Sequence, residues 1–240
     1  MIEPKDAKAF PAEGTAVIIG VSGGIGAALR AHLESHSDKL RVIGLSRRGE
    51  PSLDVTDEDS IRGAAERVER EADDLRLVID ATGFLHDDRF SPEKSWSQLD
   101  PAHMARAFAV NAAGPALLMK HFLPLLPRQG KSVFATLSAR VGSIGDNRLG
   151  GWYSYRASKA ALNQFVRAAA IELHRRSKEG ICVALHPGTV DTRLSAPFGK
   201  AGLDVRAPDV AAAELLDVIA GLDADANGGF FDYRGETVPW

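Results

Sequence analysis

Two residues of this 240-residue chain have the types and the spacing needed for proton chemistry: Tyr155 and Lys159, four positions apart. Residues i and i+4 share one face of a helix, and the alanine-rich sequence from Ser158 to Arg167 has the apolar period of a helix. The phenol is then expected to lie beside an ammonium group. The alternative is a core tyrosine next to a lysine that extends its ammonium group to solvent.

The expected effect of the lysine is to lower the pKa of the tyrosine. A free phenol titrates near pKa ~10, so an acid or base that works near neutral pH needs a shift of roughly 2–3 units, or about 3–4 kcal/mol. An ammonium group ~4 Å away supplies about 4 kcal/mol at an effective dielectric constant of about 20. Lys159 is therefore expected to make Tyr155 a usable proton donor and acceptor.

A glycine-rich turn near the N-terminus predicts a nucleotide site. It follows the apolar, β-branched run 16–20, which has the pattern of a buried strand, and it opens an amphipathic helix. Without side chains the backbone can approach a diphosphate, which the N-terminal end of the helix attracts. The backbone contacts are expected from Gly20, Ser22, Gly24, Ile25 and Gly26. The alternative is an ordinary strand-to-helix turn.

The residues that follow the second predicted strand indicate which dinucleotide binds. A site that prefers NAD usually has an acidic residue there, whereas this chain has Ser46, Arg47 and Arg48. Arginine binds phosphate through two parallel hydrogen bonds, so these residues favour a 2′-phosphate, and hence NADP(H) over NAD(H), unless they form a solvated charged loop. Asp54, with Val55, is expected to contact adenine, although Asp54 could equally cap the following helix.

Composition excludes several other classes of protein. The chain has 29 basic and 32 acidic residues, scattered rather than striped, so nothing indicates nucleic acid or a membrane surface as a partner. Cys182 is the only cysteine and lies in an apolar strand-like run, and the histidines have no metal-ligand spacing. The N-terminal residues lack the apolar segment of a signal peptide. We expect a cytoplasmic protein without a metal.

The order of the predicted elements favours one fold class. Short apolar runs predict strands at 16–20, 40–45, 75–81, 132–137, 181–185 and 229–231. Amphipathic runs predict helices at 25–35, 56–72 (capped by Thr56 or Asp57), 101–123, the Tyr155 segment and 209–219. This alternation predicts a single α/β domain over 1–240, a Rossmann-type doubly wound parallel sheet in three layers. Ligands bind such sheets at the carboxyl ends of the strands.

Several motifs in the correct order resemble the short-chain dehydrogenase/reductase family over nearly the whole chain. Gly20, Gly24 and Gly26 fit its Gly-x-x-x-Gly-x-Gly pattern, and Tyr155 with Lys159 fits its Tyr-x-x-x-Lys pattern. The other matches are to its Asn-Asn-Ala-Gly motif, its active-site Asn and Ser, and its Pro-Gly-x-Val-x-Thr motif: Asp80-Ala81-Thr82-Gly83, Asn111, Ser138, and Pro187-Gly188-Thr189-Val190-Asp191-Thr192. The tail 231–236 and the segment 80–86 look more like a C-factor-like branch.

The resemblance implies hydride transfer between a nicotinamide and a carbonyl or alcohol carbon. Tyr155 would exchange a proton with the substrate oxygen, Lys159 would also bind the nicotinamide ribose, and Ser138 would hydrogen-bond the substrate oxygen. Asn111 would hold a water that links Lys159 to solvent. Further cofactor contacts would come from Ala81, Thr82, Gly83, Pro187, Gly188, Val190 and Thr192, of which Val190 and Thr192 would fix the carboxamide.

Two segments are expected to shape the substrate pocket. The loop 139–154 borders Tyr155 and is longer than is usual for the family. A lid over about 193–207 offers Leu194, Pro197, Phe198 and Leu203 with few charges, which favours a small or apolar substrate. Asp80 and Thr82 replace the family's usual Asn and Ala; this change is expected to alter hydrogen bonds between sheet and helix but not the chemistry.

Two other functions remain open for the sequence. A sensor or signalling protein could bind NADP(H) without turnover, although it would have no need of Ser138, Tyr155 and Lys159. A sugar-nucleotide epimerase or dehydratase would use the same catalytic residues but requires a larger C-terminal substrate domain than the residues after Thr192 can form. By resemblance, a homodimer or homotetramer is expected, packed through the long helices that begin near Pro101 and Ser154.

Overall fold

The centre of the molecule is a parallel sheet of six strands. The computed structural model describes residues 10–50, 52–196 and 204–240. The sheet strands are β1 (Gly14–Ile19), β2 (Leu40–Leu45), β3 (Leu75–Asp80), β4 (Ser132–Leu137), β5 (Gly180–His186) and β8 (Phe230–Asp232), in the order β2-β1-β3-β4-β5-β8. Two short strands, β6 (Thr189–Val190) and β7 (Val205–Arg206), pair with each other in a separate two-stranded sheet.

Helices cover both faces of the sheet. They are α1 (Gly24–His36), α2 (Glu58–Glu71), α3 (Pro101–Phe108), α4 (Gly114–Phe122), α5 (Tyr153–Arg176) and α6 (Pro208–Gly221). Successive strand residues point to opposite faces, so Val17 and Ile19 pack with α2, α4 and α5, whereas Ala16 and Ile18 pack with α1 and α6. The predicted three-layer, doubly wound α/β fold is confirmed.

One predicted helix differs from expectation. The segment 101–123 is interrupted by a π-helical turn, Ala109–Ala113, between α3 and α4. Pro115 has no backbone N–H, so the carbonyl of Asn111 lacks its regular donor four residues later. An inserted π turn is a common response to a broken helical ladder, and here it lies at a residue that the sequence marks as functional.

The strand order determines where a ligand-binding crevice lies on the sheet. Neighbours of β1 are β2 on one side and β3 on the other, so connections leave this point in opposite directions along the sheet. Such a switch point opens a crevice at the carboxyl ends of the strands. Gly20, Ala81 and Ser138 each follow a strand at this edge. The sheet therefore brings together residues that are up to 118 positions apart in the sequence.

Candidate active site

The crevice is an open cleft of about 740 Å³. Sixteen of the residues expected at the site line it: Gly20, Ser22, Gly24, Ile25, Ser46, Arg47, Asp54, Val55, Ala81, Thr82, Gly83, Ser138, Tyr155, Lys159, Pro187 and Thr192. Five do not, namely Gly26, Arg48, Asn111, Gly188 and Val190. The cleft thus joins the glycine-rich turn to the Tyr155 helix, as the two motifs together require.

The glycine-rich turn depends on missing side chains at three positions. Gly20 has φ +92°, a left-handed conformation that favours glycine. A Cβ at Gly24 would lie 3.0 Å from the Thr192 methyl group, and one at Gly26 would lie 2.3 Å from the Gly20 carbonyl oxygen. Gly26 therefore serves close packing of α1 on the turn rather than the cleft itself. The N-cap residue of α1 is Gly23, which has no side chain to cap the first turn, so this cradle fits a diphosphate.

The two arginines after β2 have different surroundings. Arg47 lines the cleft, whereas Arg48 is exposed outside it. A turn holds the segment, since the Ser46 carbonyl accepts from the Gly49 amide at 3.1 Å and the Leu53 amide at 3.0 Å. In the part of the chain that the structure describes, the Arg47 guanidinium has no ion-pair partner. Only Arg47 of the pair is placed to bind a group inside the cleft.

Asp54 lines the cleft and does not cap α2. One of its carboxylate oxygens, Oδ1, accepts from the Thr56 amide at 2.9 Å and the Thr56 hydroxyl at 2.7 Å. These hydrogen bonds, with the charges of Arg47 and Arg106, hold the pKa of Asp54 below its ordinary value. The cap of α2 is Asp57, one of the two residues expected there.

Asn111 has a structural task at the π turn. Its Oδ1 accepts from the Phe84 amide at 2.7 Å, and its Nδ2 donates to the Phe84 carbonyl at 2.8 Å and to Ser158 Oγ at 3.0 Å. Ser158 in turn donates to the Tyr155 carbonyl at 2.9 Å. Both donors of the buried amide are therefore used by protein. Asn111 ties the chain after β3 to the first turns of α5, and its side chain has no donor left for a water.

Tyr155 and Lys159 lie on one face of α5, as their spacing predicts, but their electrostatics differ from expectation. Lys159 is buried, and its Nζ donates to the Leu137 carbonyl at 2.6 Å and lies 6.0 Å from the centroid of the Tyr155 ring. Burial raises the pKa of Tyr155 to about 12. The expected lowering of the pKa of Tyr155 by Lys159 is wrong for this arrangement, because burial of the phenol, which raises its pKa, is the effect that decides.

Of the two residues, Lys159 is the one whose pKa lies close to neutral pH. Burial lowers the pKa of Lys159 to about 8, and the negative charge of Asp80 partly opposes this shift. Asp80 is fully buried at the end of β3 and accepts from the Thr82 amide at 3.0 Å, the Thr82 hydroxyl at 2.6 Å and the Thr136 hydroxyl at 2.7 Å. The two departures from the family pattern, Asp80 and Thr82, therefore act together beside the lysine.

Ser138 lies at the carboxyl end of β4 and is almost completely buried. Its amide donates to the Leu185 carbonyl at 2.8 Å, which fixes the backbone, and its hydroxyl donates to Asn163 Oδ1 at 2.7 Å. Asn163 lies on α5 one turn after Lys159. The sequence pattern extends further than expected, because Tyr155, Lys159 and Asn163 recur every four residues.

The N-terminal end of α5 is capped from a distant segment. The side chain of its own N-cap residue, Trp152, which has φ +51°, does not cap the helix. Glu93 takes that place: its carboxylate accepts from the Ser154 amide at 3.2 Å and from the Ser154 hydroxyl, and it lies 3.2 Å from His103 Nδ1. Glu93, His103 and Ser154 are all buried. This cluster fixes the turn that carries Tyr155.

Some residues of the cleft have no counterpart in the sequence predictions. Arg106 and Val110 line it from α3 and the π turn, and Phe84 and His86 line it from the segment after β3, whereas Arg193 belongs to the expected lid. The spacing of Arg106 and Val110 is a signal that could have found them, since residues four apart share a helix face. His86 is tied to the lid, because its Nε2 lies 3.3 Å from the Arg193 carbonyl oxygen.

The two segments expected to shape the pocket contribute unequally. Leu194, at the start of the lid, lines the cleft. Pro197, Phe198 and Leu203 lie outside the described residues. The loop 139–154 borders Tyr155 through an edge contact with Trp152 at 6.2 Å between ring centroids, but none of its residues lines the cleft. The expectation that this loop shapes the substrate pocket stays a prediction.

Val190 and Gly188, which are expected to contact the cofactor, do not line the cleft. Val190 is buried in β6, and Gly188 has φ +76° beside a smaller cavity of about 290 Å³ that Arg206 and Tyr233 also line.

Within the described residues, no group of three or more His, Cys, Asp and Glu side chains is arranged to bind a metal ion. None of the helices described combines the length and apolar character needed to cross a membrane.

Comparison with known proteins agrees with this geometry. A family model described as enoyl-(acyl carrier protein) reductase matches residues 6–214. The chain belongs to the short-chain dehydrogenase/reductase family. It is therefore an oxidoreductase of this family.

Three relatives show how the similarity is distributed. C-signal of Myxococcus xanthus is 41% identical over 59% of this chain and 81% of its own length, in agreement with the C-factor-like branch. The 1-hydroxy-2-glutathionyl-2-methyl-3-butene dehydrogenase of Rhodococcus sp. strain AD45 is 30% identical over 94% of this chain and 99% of its own. The structure of an NADPH-bound carbonyl reductase from chicken fatty liver superposes with a TM-score of 0.80 at 25% identity, covering 94% and 98% of the two chains.

Proposed function

We propose that this oxidoreductase uses NADP(H) to interconvert a small or apolar carbonyl compound and its alcohol. The observation that carries the proposal is a single cleft lined by the glycine-rich turn and Arg47 and also by Ser138, Tyr155 and Lys159. A nicotinamide cofactor, when bound, supplies or accepts the hydride. The NADPH-bound carbonyl reductase with the same fold supports this choice of cofactor and of reaction.

The cleft has the groups that each part of the cofactor needs. Gly20 and the uncapped first turn of α1 can hold the diphosphate, and Arg47 can pair with a 2′-phosphate while Asp54 and Val55 face the adenosine. Ala81, Thr82 and Gly83 follow the next strand, and Pro187 and Thr192 line the part of the cleft that includes the lid. Val190 and Gly188 support that last segment from behind the cleft.

Tyr155 is the proposed proton donor in the reducing direction. Because burial raises its pKa to about 12, the phenol is protonated throughout the neutral range and ready to give its proton to an oxygen that gains negative charge. The Ser138 hydroxyl is the second proposed donor to that oxygen. Lys159 is largely charged at pH 7, since its pKa is about 8, and its ammonium group is the proposed hydrogen-bond donor to the nicotinamide ribose.

The cofactor preference is tested by titrating the purified protein with NADPH and, separately, with NADH, following nicotinamide fluorescence. We expect micromolar binding of NADPH and much weaker binding of NADH. Arg47→Gln is expected to weaken NADPH binding ~10- to 100-fold, because a hydrogen bond to a charged group contributes about 1.5–3 kcal/mol, and to leave NADH binding nearly unchanged.

Arg48→Gln is the matched control, because Arg48 is the same residue type one position away and outside the cleft. It is expected to bind NADPH as the wild type does. Equal affinity of the wild type for both cofactors would refute the preference for NADP(H). Absence of binding by the folded protein would refute the proposed oxidoreductase reaction.

We also propose that the chain forms a homodimer or homotetramer through α5. This helix exposes Phe165 and Ile171, whose accessible fractions are 44% and 49%. Exposed apolar side chains on one long helix are typical of a surface that packs against another copy. Light scattering of the eluting protein is expected to give the mass of two or four chains, and the mass of a single chain would contradict the proposal.

A further inference from the structure

Asn163 lies against Ser138 at the base of the cleft, and no motif assigns it a role. It follows Lys159 by four residues and Tyr155 by eight, so all three side chains lie along one face of α5. Its accessible fraction is 3%, the same as that of Ser138. The oxygen-to-oxygen distance between Ser138 Oγ and Asn163 Oδ1 is 2.7 Å.

The hydrogen bonds of Ser138 and Asn163 leave no donor for a substrate and one buried N–H group unpaired. A serine hydroxyl has one proton to donate and two lone pairs. With that proton given to Asn163 Oδ1, Ser138 has none for a substrate oxygen. Meanwhile Asn163 Nδ2 is buried and has no hydrogen-bond partner among the residues described, which is unusual for an N–H group in a protein interior.

Turning the amide of Asn163 by half a turn about its last side-chain bond reverses the assignment. The oxygen and nitrogen of an amide occupy nearly the same space and are distinguished by their hydrogen bonds. Nδ2 would then lie 2.7 Å from Ser138 Oγ, within the range of an N–H···O bond. The unpaired atom becomes a carbonyl oxygen, which protein interiors tolerate more readily than an unpaired N–H.

We propose that Asn163 is a positioning residue for the reaction: it donates from Nδ2 to Ser138 Oγ and thereby directs the single Ser138 proton at the substrate oxygen. This inference rests on the proposed function, because it assigns Ser138 a substrate to act on. Asn163 does not touch that substrate. Because Asn163 acts on the reacting oxygen only through Ser138, its contribution can be measured by comparing variants with and without the Ser138 hydroxyl.

The test is a double-mutant cycle on carbonyl reduction, with kcat, KM and NADPH affinity measured for each protein. Asn163→Leu keeps the branched arrangement of side-chain heavy atoms and removes the donor; kcat is expected to fall ~10-fold or more, since loss of one donor to a developing oxyanion costs roughly 100- to 1,000-fold. KM and NADPH affinity are expected to stay within about twofold. In a Ser138→Ala background the same substitution is expected to change kcat less than about twofold.

Two further variants separate this role from folding and from simple acceptance of a hydrogen bond. Gln164→Leu makes the same kind of change at the adjacent, exposed position and is expected to leave kcat unchanged. Asn163→Asp keeps the shape and an acceptor but has no N–H, so kcat is expected to fall as it does in Asn163→Leu. Full kcat in Asn163→Asp would overturn the donating role.

The outcomes also separate this inference from the proposed function. Wild-type kcat in Asn163→Leu, or an undiminished loss in the Ser138→Ala background, overturns the role of Asn163 while the reductase stands. A wild-type protein that binds NADPH but reduces no carbonyl overturns the proposed function, and the positioning role with it. A loss that disappears when Ser138 is removed supports both.

Discussion

Burial of Lys159 makes a prediction about stability that does not depend on the substrate. The pKa of this lysine is about 8 in the folded protein, against an ordinary value of 10.5. Between these two values the unfolded chain binds more protons than the folded one, so the free energy of unfolding must rise as the pH increases. Lys159→Met removes the titrating group, keeps most of the apolar stem and is expected to abolish this part of the rise.

The size of the effect follows from the shift. A difference of about 2.5 pKa units corresponds to about 3 kcal/mol of destabilisation when the lysine is fully charged in both states. At pH 7 nearly all of this penalty is present, and at pH 9 about 2 kcal/mol remains. The stability of the wild type relative to Lys159→Met should therefore increase by about 1 kcal/mol between pH 7 and pH 9.

The assay is urea denaturation of both proteins at several pH values between 7 and 9. The difference between the two proteins is the quantity to follow, because the thiol of Cys182, whose pKa burial raises to about 12, contributes equally to both. Tyr155→Phe is the control: a phenol with a folded pKa of about 12 and an ordinary value of 10.0 stays protonated in both states below pH 9. A difference between wild type and Lys159→Met that does not change with pH would refute the reasoning.

Two other predictions concern buried carboxylates near the site. Asp80→Asn preserves the size of the side chain but removes the negative charge that raises the pKa of Lys159. The rate of reduction is expected to fall as Lys159 loses its proton, and in Asp80→Asn this fall should occur at lower pH. An unchanged pH–rate profile would contradict this role. Glu93→Ala removes the cap of α5 and leaves buried donors without a partner, which should cost about 2 kcal/mol in urea denaturation. Glu34→Ala, which breaks only an exposed ion pair with Arg30, should cost less than ~0.5 kcal/mol, and equal losses in both variants would argue against the capping role.

Local patterns predicted the elements and the two motifs well. Each strand of the sheet is a short apolar run, and its bounds differ from the predicted ones by at most two residues. Tyr155 and Lys159 share a helix face because that relation depends only on their spacing. The conformation of Gly20 and the close packing of Gly26 were predictable for the same reason, since they depend on missing side chains within a few residues, whereas the closeness of Gly24 to Thr192 depends on the fold.

Tertiary contacts explain what the sequence did not predict. The hydrogen-bond acceptor of Lys159 is the Leu137 carbonyl of β4, which lies 22 residues away in the sequence. Glu93 caps a helix that begins 60 residues later, so no local capping pattern marks it. The π turn at Asn111 follows from Pro115, but whether a helix kinks, ends or inserts a turn at a proline depends on what packs around it.

The central claim is that Tyr155 gives a proton to the substrate while hydride leaves NADPH. The most direct measurement is a single-turnover reaction of excess enzyme, loaded with NADPH, against a panel of small and apolar aldehydes and ketones, for the wild type and Tyr155→Phe. We expect NADPH oxidation by the wild type and a rate ~100- to 10,000-fold lower for Tyr155→Phe, with NADPH affinity retained by both. Equal rates in the two proteins would contradict the assignment of Tyr155, and NADPH binding without oxidation of the cofactor by either protein would favour a sensor instead of an enzyme.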